Sequence, residues 1–187
     1  VKDDAQTQPT SYTVKHVVEG VEQAQDSATY AGTAWVNDEH PSIVVAGDTI
    51  APKTYEGYKF ASITPAIEGG ASVASGTTIT LAYVKDDGQT QDTLYTVEYF
   101  KDGVKGEADS YTEHATAWVN DDPAQIAIKA TIDAAGDKYR GYRLASTSPE
   151  ALPQAGDKVN SGTVIQVKYV KDDAQTQPTS YTVKHVV

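Results

Sequence analysis

Apolar and polar residues alternate most cleanly in two kinds of segment. In one, Tyr12, Val14, His16 and Val18 stand against Thr13, Lys15 and Val17. In the other, Thr77, Ile79, Leu81 and Tyr83 stand against Thr78, Thr80, Ala82 and Val84. Both return downstream: Tyr95, Val97 and Tyr99 share one face, and Thr163, Ile165, Val167 and Tyr169 oppose Gln166 and Lys168. Period-two alternation rich in Thr, Val, Ile and Tyr predicts half-buried strands. Residues 27–36 and 110–119 predict a second strand, each closing on an Asn-Asp turn signal. Residues 42–45 and 125–128 predict a short strand, and residues 58–63 and 142–146 another. Helix is confined to a turn or two, with residues 132–136 the best candidate. Pro65 and Pro149 open turn-rich stretches, and Gly69-Gly70 marks a loop. Gly57 and Gly141, each between two tyrosines, predict a bulge or a close backbone approach.

These parallels are parts of a repeat. The first eighteen residues, VKDDAQTQPTSYTVKHVV, recur without mismatch at 170–187. A weaker repeat lies inside that period. Tyr12-Thr13-Val14 returns at Tyr95 and at Tyr181, spacings of 83 and 86 residues. Thr33 to Asp38 matches Thr116 to Asp121, Tyr55-Glu56-Gly57-Tyr58 matches Tyr139-Arg140-Gly141-Tyr142, and Tyr83 to Asp87 matches Tyr169 to Asp173. Self-similarity of this kind indicates a tandem array. The sequence divides into 1–11, the tail of a preceding repeat; 12–94, module A; 95–180, module B; and 181–187, the first strand of a following A. Both end segments are expected to be held by neighbouring repeats, because terminal segments are poorly ordered unless tied down.

The formal net charge of −11 excludes the basic face that a nucleic-acid binder needs. With no cysteine, disulfides and thiolate metal sites are ruled out. No apolar run approaches the ~20 residues of a membrane-spanning helix. An acidic, Thr-rich, Cys-free tandem array suits an extracellular bacterial surface.

Candidate chemistry is sparse. His16, His40 and His114 are scattered and lack a metal-ligand cadence. Neither a nucleophile elbow nor a phosphate-binding loop is present, so the reading is non-enzymatic and without an obligatory cofactor. Acidic pairs sit at each joint, Asp86-Asp87 and Asp172-Asp173, and Asp38 and Asp121 follow the tryptophan strand. They are the candidate calcium ligands, although no calcium-loop motif frames them. The competing reading is solvated turn carboxylates that keep a long array soluble. Asn37 and Asn120, position-matched with Lys85 and Lys171, are weak candidates for an internal crosslink. Trp35 and Trp118 are expected to fill a small core short of large aliphatics. Tyr58 and Tyr142 remain candidate glycan contacts.

An opening YTV strand, a central Tyr-x-Gly-Tyr at residues 55–58 and 139–142, and a closing strand running into YVKDD resemble the MucBP family. These are mucin-binding-protein-like repeats of large surface proteins in Gram-positive bacteria. The resemblance covers both modules. It implies a mainly β chain of tandem β-grasp-like modules with little helix, arranged end to end as an elongated rod. It also implies a secreted or cell-wall-anchored parent, and a stalk or fibre segment of a surface adhesin. Adjacent repeats are the implied partners. Host mucin or glycans bound by avidity are the alternative, and no residue motif carries a binding site over.

Overall fold

The computed structural model describes residues 3–186. They form two compact units, one ending at Gln89 and the other beginning at Thr90. Sequence readings that fall on Val1, Lys2 and Val187 lie outside the described residues.

The first unit contains β1 (Thr7–Val18), β2 (Val21–Glu22), β3 (Ala28–Trp35), β4 (Ser42–Val44), a single 3-10 turn (Gly47–Ile50), β5 (Tyr58–Thr64), β6 (Ser72–Ala74) and β7 (Thr77–Lys85). The second repeats the plan with β8 (Thr90–Lys101), β9 (Val104–Lys105), β10 (Tyr111–Trp118), β11 (Gln125–Ala127), β12 (Tyr142–Ser148), β13 (Lys158–Asn160) and β14 (Thr163–Lys171). The chain is mainly β, as its alternation predicts. Residues 132–136 are not helical, and the 3-10 turn lies in the first unit instead.

Strands β1 and β7 lie side by side in the centre of the main sheet and run parallel. Seven residues pair, from Tyr12↔Thr77 to Val18↔Tyr83. Antiparallel β3 flanks β1, and antiparallel β5 flanks β7. A parallel first-and-last pair with an antiparallel neighbour on each side is the β-grasp order. Here the crossing segment carries short strands, β4 paired with β6, where a helix would usually lie. The second unit copies this: β8 and β14 pair in parallel over seven residues, flanked by β10 and β12.

Alternation along β1 buries Thr10, Tyr12, Val14, His16 and Val18 on one face. They meet Ile79, Leu81 and Tyr83 from β7, with Val45 and Ile50 from the crossing segment as the lid. In the second unit Tyr95, Val97, Tyr99, Ile165, Val167 and Tyr169 pack beneath Ile126, Ile128 and Ile132. Full burial of one such aliphatic side chain stabilises by about 1.5–3 kcal/mol, so a core this small depends on each member.

Three further sequence expectations change. Trp35 and Trp118 are only half-buried and stand outside both core clusters, each at the last position of its strand. The large buried aromatics are tyrosines, because alternation places Tyr12, Tyr83, Tyr95, Tyr99 and Tyr169 on the inner faces. Gly57 and Gly141 are not bulges. They take φ of 81° and 83° in the turn entering β5 or β12, the left-handed region that a side chain resists. The irregularities fall later, between Phe60 and Ser62 and between Leu144 and Ser146. Finally, β1 begins at Thr7, so Thr7 to Ser11 are a strand paired with Ala31 to Trp35. Pro9 is tolerated there because the β7 ladder starts only at Tyr12, leaving that edge of β1 unpaired.

Candidate functional site

The repeated joint motif Asp-Asp-x-Gln-Thr-Gln organises two clamps. Its first glutamine belongs to the module before it. The amide of Gly57 donates to Gln89 Oε1 at 2.8 Å, while Gln89 Nε2 donates to the carbonyl of Tyr58 and to Asp86 Oδ2, each at 3.1 Å. The Asp86 amide donates to the Gly57 carbonyl at 2.8 Å. The second unit closes its end in the same way. Gly141 donates to Gln175 Oε1 at 2.9 Å, and Gln175 Nε2 donates to the Tyr142 carbonyl and to Asp172. The positive-φ glycine turns its N–H toward the glutamine, which explains why Tyr-x-Gly-Tyr and Asp-Asp-x-Gln recur together.

The second glutamine belongs to the module that follows. Gln91 Nε2 faces the carbonyls of Trp118, Val119 and Asp121 at 3.1, 2.9 and 2.8 Å. Gln8 Nε2 donates likewise to Trp35 and Asp38 at 3.0 and 2.8 Å. The half-buried tryptophan strand is therefore closed by a glutamine from the opening of the same module. One residue, Thr90, separates Gln89 from Gln91, and it is itself paired with Trp118.

The candidate calcium ligands fall into these turns. Asp86 accepts from the Gly88 amide and Gln89 and lies 3.8 Å from Lys59 Nζ. Hydrogen bonds from Gln89 and then Gly88 hold its carboxyl below the usual range. Asp172 is lowered in the same way, first by Gln175 and then by the Ala174 amide. Asp87 and Asp173 pair with Lys85 and Lys171 at 3.0 and 2.9 Å, the two lysines weighed for crosslinking to Asn37 and Asn120. Asp38 caps the turn at His40 through its carboxylate, and the backbone of Asp121 closes the matching turn. Among the described residues no group of three or more His, Asp or Glu side chains is arranged to hold a metal ion.

Tyr58 and Tyr142, the candidate glycan contacts, are half-buried at the starts of β5 and β12 and pack against their cores. Tyr58 lines an open groove with Tyr55, Val18 and Val21. Tyr55 itself donates to Asp26 at 2.9 Å, and Asp26 also takes Lys53 at 2.6 Å. Those two bonds lower the Asp26 carboxyl. Burial, then the Asp26 bond, raises the Tyr55 hydroxyl far above its ordinary value. Tyr139 bonds Asp109 equivalently in the second unit.

His16, which the alternation places on the inner face of its strand, has a buried polar partner that the sequence does not announce. His16 is 2% exposed, and its Nδ1 lies 2.9 Å from Tyr83 Oη. That hydroxyl accepts the Lys53 amide at 2.8 Å, so its own proton is free to go to a neutral imidazole. Burial, then the charge of Lys53, lowers the histidine below its ordinary value, with Asp26 opposing. Tyr99 occupies the corresponding position in the second unit. The signal available was positional: His16 sits on the inner face of an alternating strand.

No family model and no curated protein matches the chain. Several solved structures are similar, two of them as follows. "Crystal structure of Mub-RV" aligns at 13% identity over 87% of this chain and 99% of its own, with a TM-score of 0.28. "Type 2 repeat of the mucus binding protein MUB from Lactobacillus reuteri" aligns at 16% identity over 87% of this chain and 100% of its own, with a TM-score of 0.25.

Proposed function

We propose that the chain is a load-bearing spacer segment of a bacterial cell-surface adhesin, built to hold its length under tension outside the cell. The observation that carries this reading is the parallel pairing of each unit's first long strand with its last. A pull on the start of β1 and the end of β7 acts at opposite ends of their seven-residue ladder. Force then shears all the rungs together, whereas a pull on one end would peel them in turn. The joints support the same reading: Gln89 is bound into one unit and Gln91 into the next, so each unit closes its own end. The resemblance to MucBP repeats and the acidic, Cys-free composition support the extracellular setting. In this reading the joint carboxylates serve as turn caps, the chain has no catalytic role, and its partners are adjacent repeats.

Single-molecule pulling tests it, and the absence of native cysteine makes the attachments unique. Anchors at Ala5→Cys and Asp87→Cys load β1 and β7 in shear. Anchors at Val21→Cys and Asp87→Cys load the same ladder in peel. A severalfold higher rupture force in shear is expected, and equal forces would overturn the reading. The second reading, weak glycan contacts multiplied by avidity, is favoured by the open groove beside Tyr55 and Tyr58. Binding of the chain to mucin or a glycan array, lost in Tyr58→Ala and Tyr142→Ala, would establish it.

A further inference from the structure

The two edges of the first unit's main sheet are built differently. β5 carries Lys59, an irregularity between Phe60 and Ser62, and Pro65 directly after its last residue. A charge, a bulge and a proline are the usual devices that keep an edge strand from pairing with another chain. β12 in the second unit has the same three, in Arg143, the irregularity between Leu144 and Ser146, and Pro149. β3 has none of them. It runs Ala-Thr-Tyr-Ala-Gly-Thr-Ala-Trp in unbroken register with β1, and among the described residues it pairs with no other strand.

Which backbone groups face that open edge follows from the ladder. Residues directly opposite in an antiparallel pair alternate between bonded and non-bonded. The Val36 amide donates to the Gln6 carbonyl, so Ala34, Gly32, Tyr30 and Ala28, two residues apart, also turn toward β1. Thr29, Ala31 and Thr33 therefore turn their N–H and C=O groups outward, and all three are exposed. Trp35 is next in that series, but its carbonyl already accepts the Gln8 side chain and the Asp38 amide.

We propose that β3 is the contact through which two copies of this chain associate side by side, antiparallel, about a two-fold axis at Ala31. The partner is a second copy because the strand is self-complementary. Centred on Ala31, the pairing sets Thr29 opposite Thr33 and Ala31 opposite Ala31. That satisfies the outward groups of all three in about six hydrogen bonds, two for each bonded pair. Tyr30 falls opposite Gly32 on the inner face, so its ring meets no facing side chain, and threonine meets threonine on the outer face. Charge selects the same strand. The chain carries −11, yet β3 has no acidic or basic side chain, so two copies meet there with no like charges opposed. A two-fold contact of this kind uses the same patch on both copies and closes on itself. The equivalent edge of the second unit, β10, has Glu113 and His114 at the places of Tyr30 and Ala31. The same register there sets His114 against His114, and β10 is not assigned this role. The inference stands apart from the spacer reading: it concerns how chains pair, not how one chain resists a pull.

Sedimentation of the whole chain at rising concentration tests it, and a monomer–dimer equilibrium is expected. Ala31→Pro removes one outward N–H and leaves the β1 ladder whole, so that variant should stay monomeric with its fold intact by circular dichroism. Ala31→Lys opposes two lysines at the axis and should also be monomeric, as should Ala31→Glu. Mixing those two chains should restore the dimer, because each lysine then faces a glutamate. Thr29→Cys in one chain should form a disulfide with Thr33→Cys in another under a thiol oxidant, and neither chain should crosslink alone, since the native sequence has no cysteine. A native chain that stays monomeric at every concentration overturns the proposal, including one whose edge takes up a foreign extended peptide instead. A dimer that persists at full strength in Ala31→Lys overturns it equally, since it would form elsewhere on the chain.

Discussion

Replacing a buried threonine with valine is expected to stabilise each unit. Thr10 is 3% exposed and Thr93 0%, and among the described residues their hydroxyl oxygens are the buried side-chain polar atoms without a hydrogen-bond partner. They occupy equivalent places, two residues before Tyr12 and Tyr95 on the inner faces of β1 and β8. A hydroxyl taken from water without a new partner costs about 1–3 kcal/mol. Valine keeps the branched shape and the strand preference while removing the polar atom. The expected gain is about 1 kcal/mol or more, and about 1 kcal/mol moves the midpoint of a unit this size by roughly 4–8 °C. Each unit carries one tryptophan, so Trp35→Phe leaves Trp118 fluorescence to follow the second unit alone. In that background Thr93→Val should raise the melting midpoint, Thr93→Ala should raise it less because it opens a cavity, and Thr10→Val should leave it unchanged. A fall of several degrees with Thr93→Val would refute the reasoning, since it would reveal a partner such as a buried water.

Acid should weaken the first unit selectively. Its buried histidine binds a proton less readily than in the unfolded chain, so its stabilising contribution is whole above the ordinary value of 6.5 and declines as pH falls below it. Urea titrations between pH 7.5 and 5 should show a slope of up to about 1.4 kcal/mol per pH unit in that window, abolished by His16→Phe; an unchanged slope in that variant would exclude the histidine as its source. Gln89→Ala removes hydrogen bonds worth about 0.5–1.5 kcal/mol each. It should lower the midpoint of the first unit and spare the second, and equal losses in both would contradict the assignment of that glutamine. Gly141→Ala forces a side chain into a φ of 83° and should cost about 1–2 kcal/mol in the second unit; a neutral result would mean the turn relaxes. Calorimetry with millimolar calcium should give neither heat nor a shift in melting midpoint, and either one would establish the joint carboxylates as ligands.

Much of the fold was legible because burial follows alternation. Tyr12, Val14 and Val18, and again Ile79, Leu81 and Tyr83, face inward as the pattern requires. The tryptophans were misplaced because their size was weighed ahead of their position; a side chain at the end of a strand stands beyond the layer that the crossing segment covers. Thr7 to Ser11 was illegible as strand because a polar run containing Pro9 shows no alternation, and its pairing is set by partners some 20 or more residues away. The glutamine clamps were hidden for a related reason. They join side chains to backbone groups across 27 to 34 positions, which no local pattern encodes. The trace they leave is recurrence: Gln6, Gln89 and Gln175, then Gln8, Gln91 and Gln177, hold their places while the residues beside them vary.

That division of labour within Gln-Thr-Gln gives the gene a safe place to recombine. Thr90 falls between Gln89, which serves the first unit, and Gln91, which serves the second, and the same Gln-Thr-Gln stands at residues 6–8 and 175–177. Unequal crossing-over at any two of them adds or removes whole modules and leaves every clamp with its own partner. On the spacer reading proposed above, the number of modules then changes without any fold having to adapt.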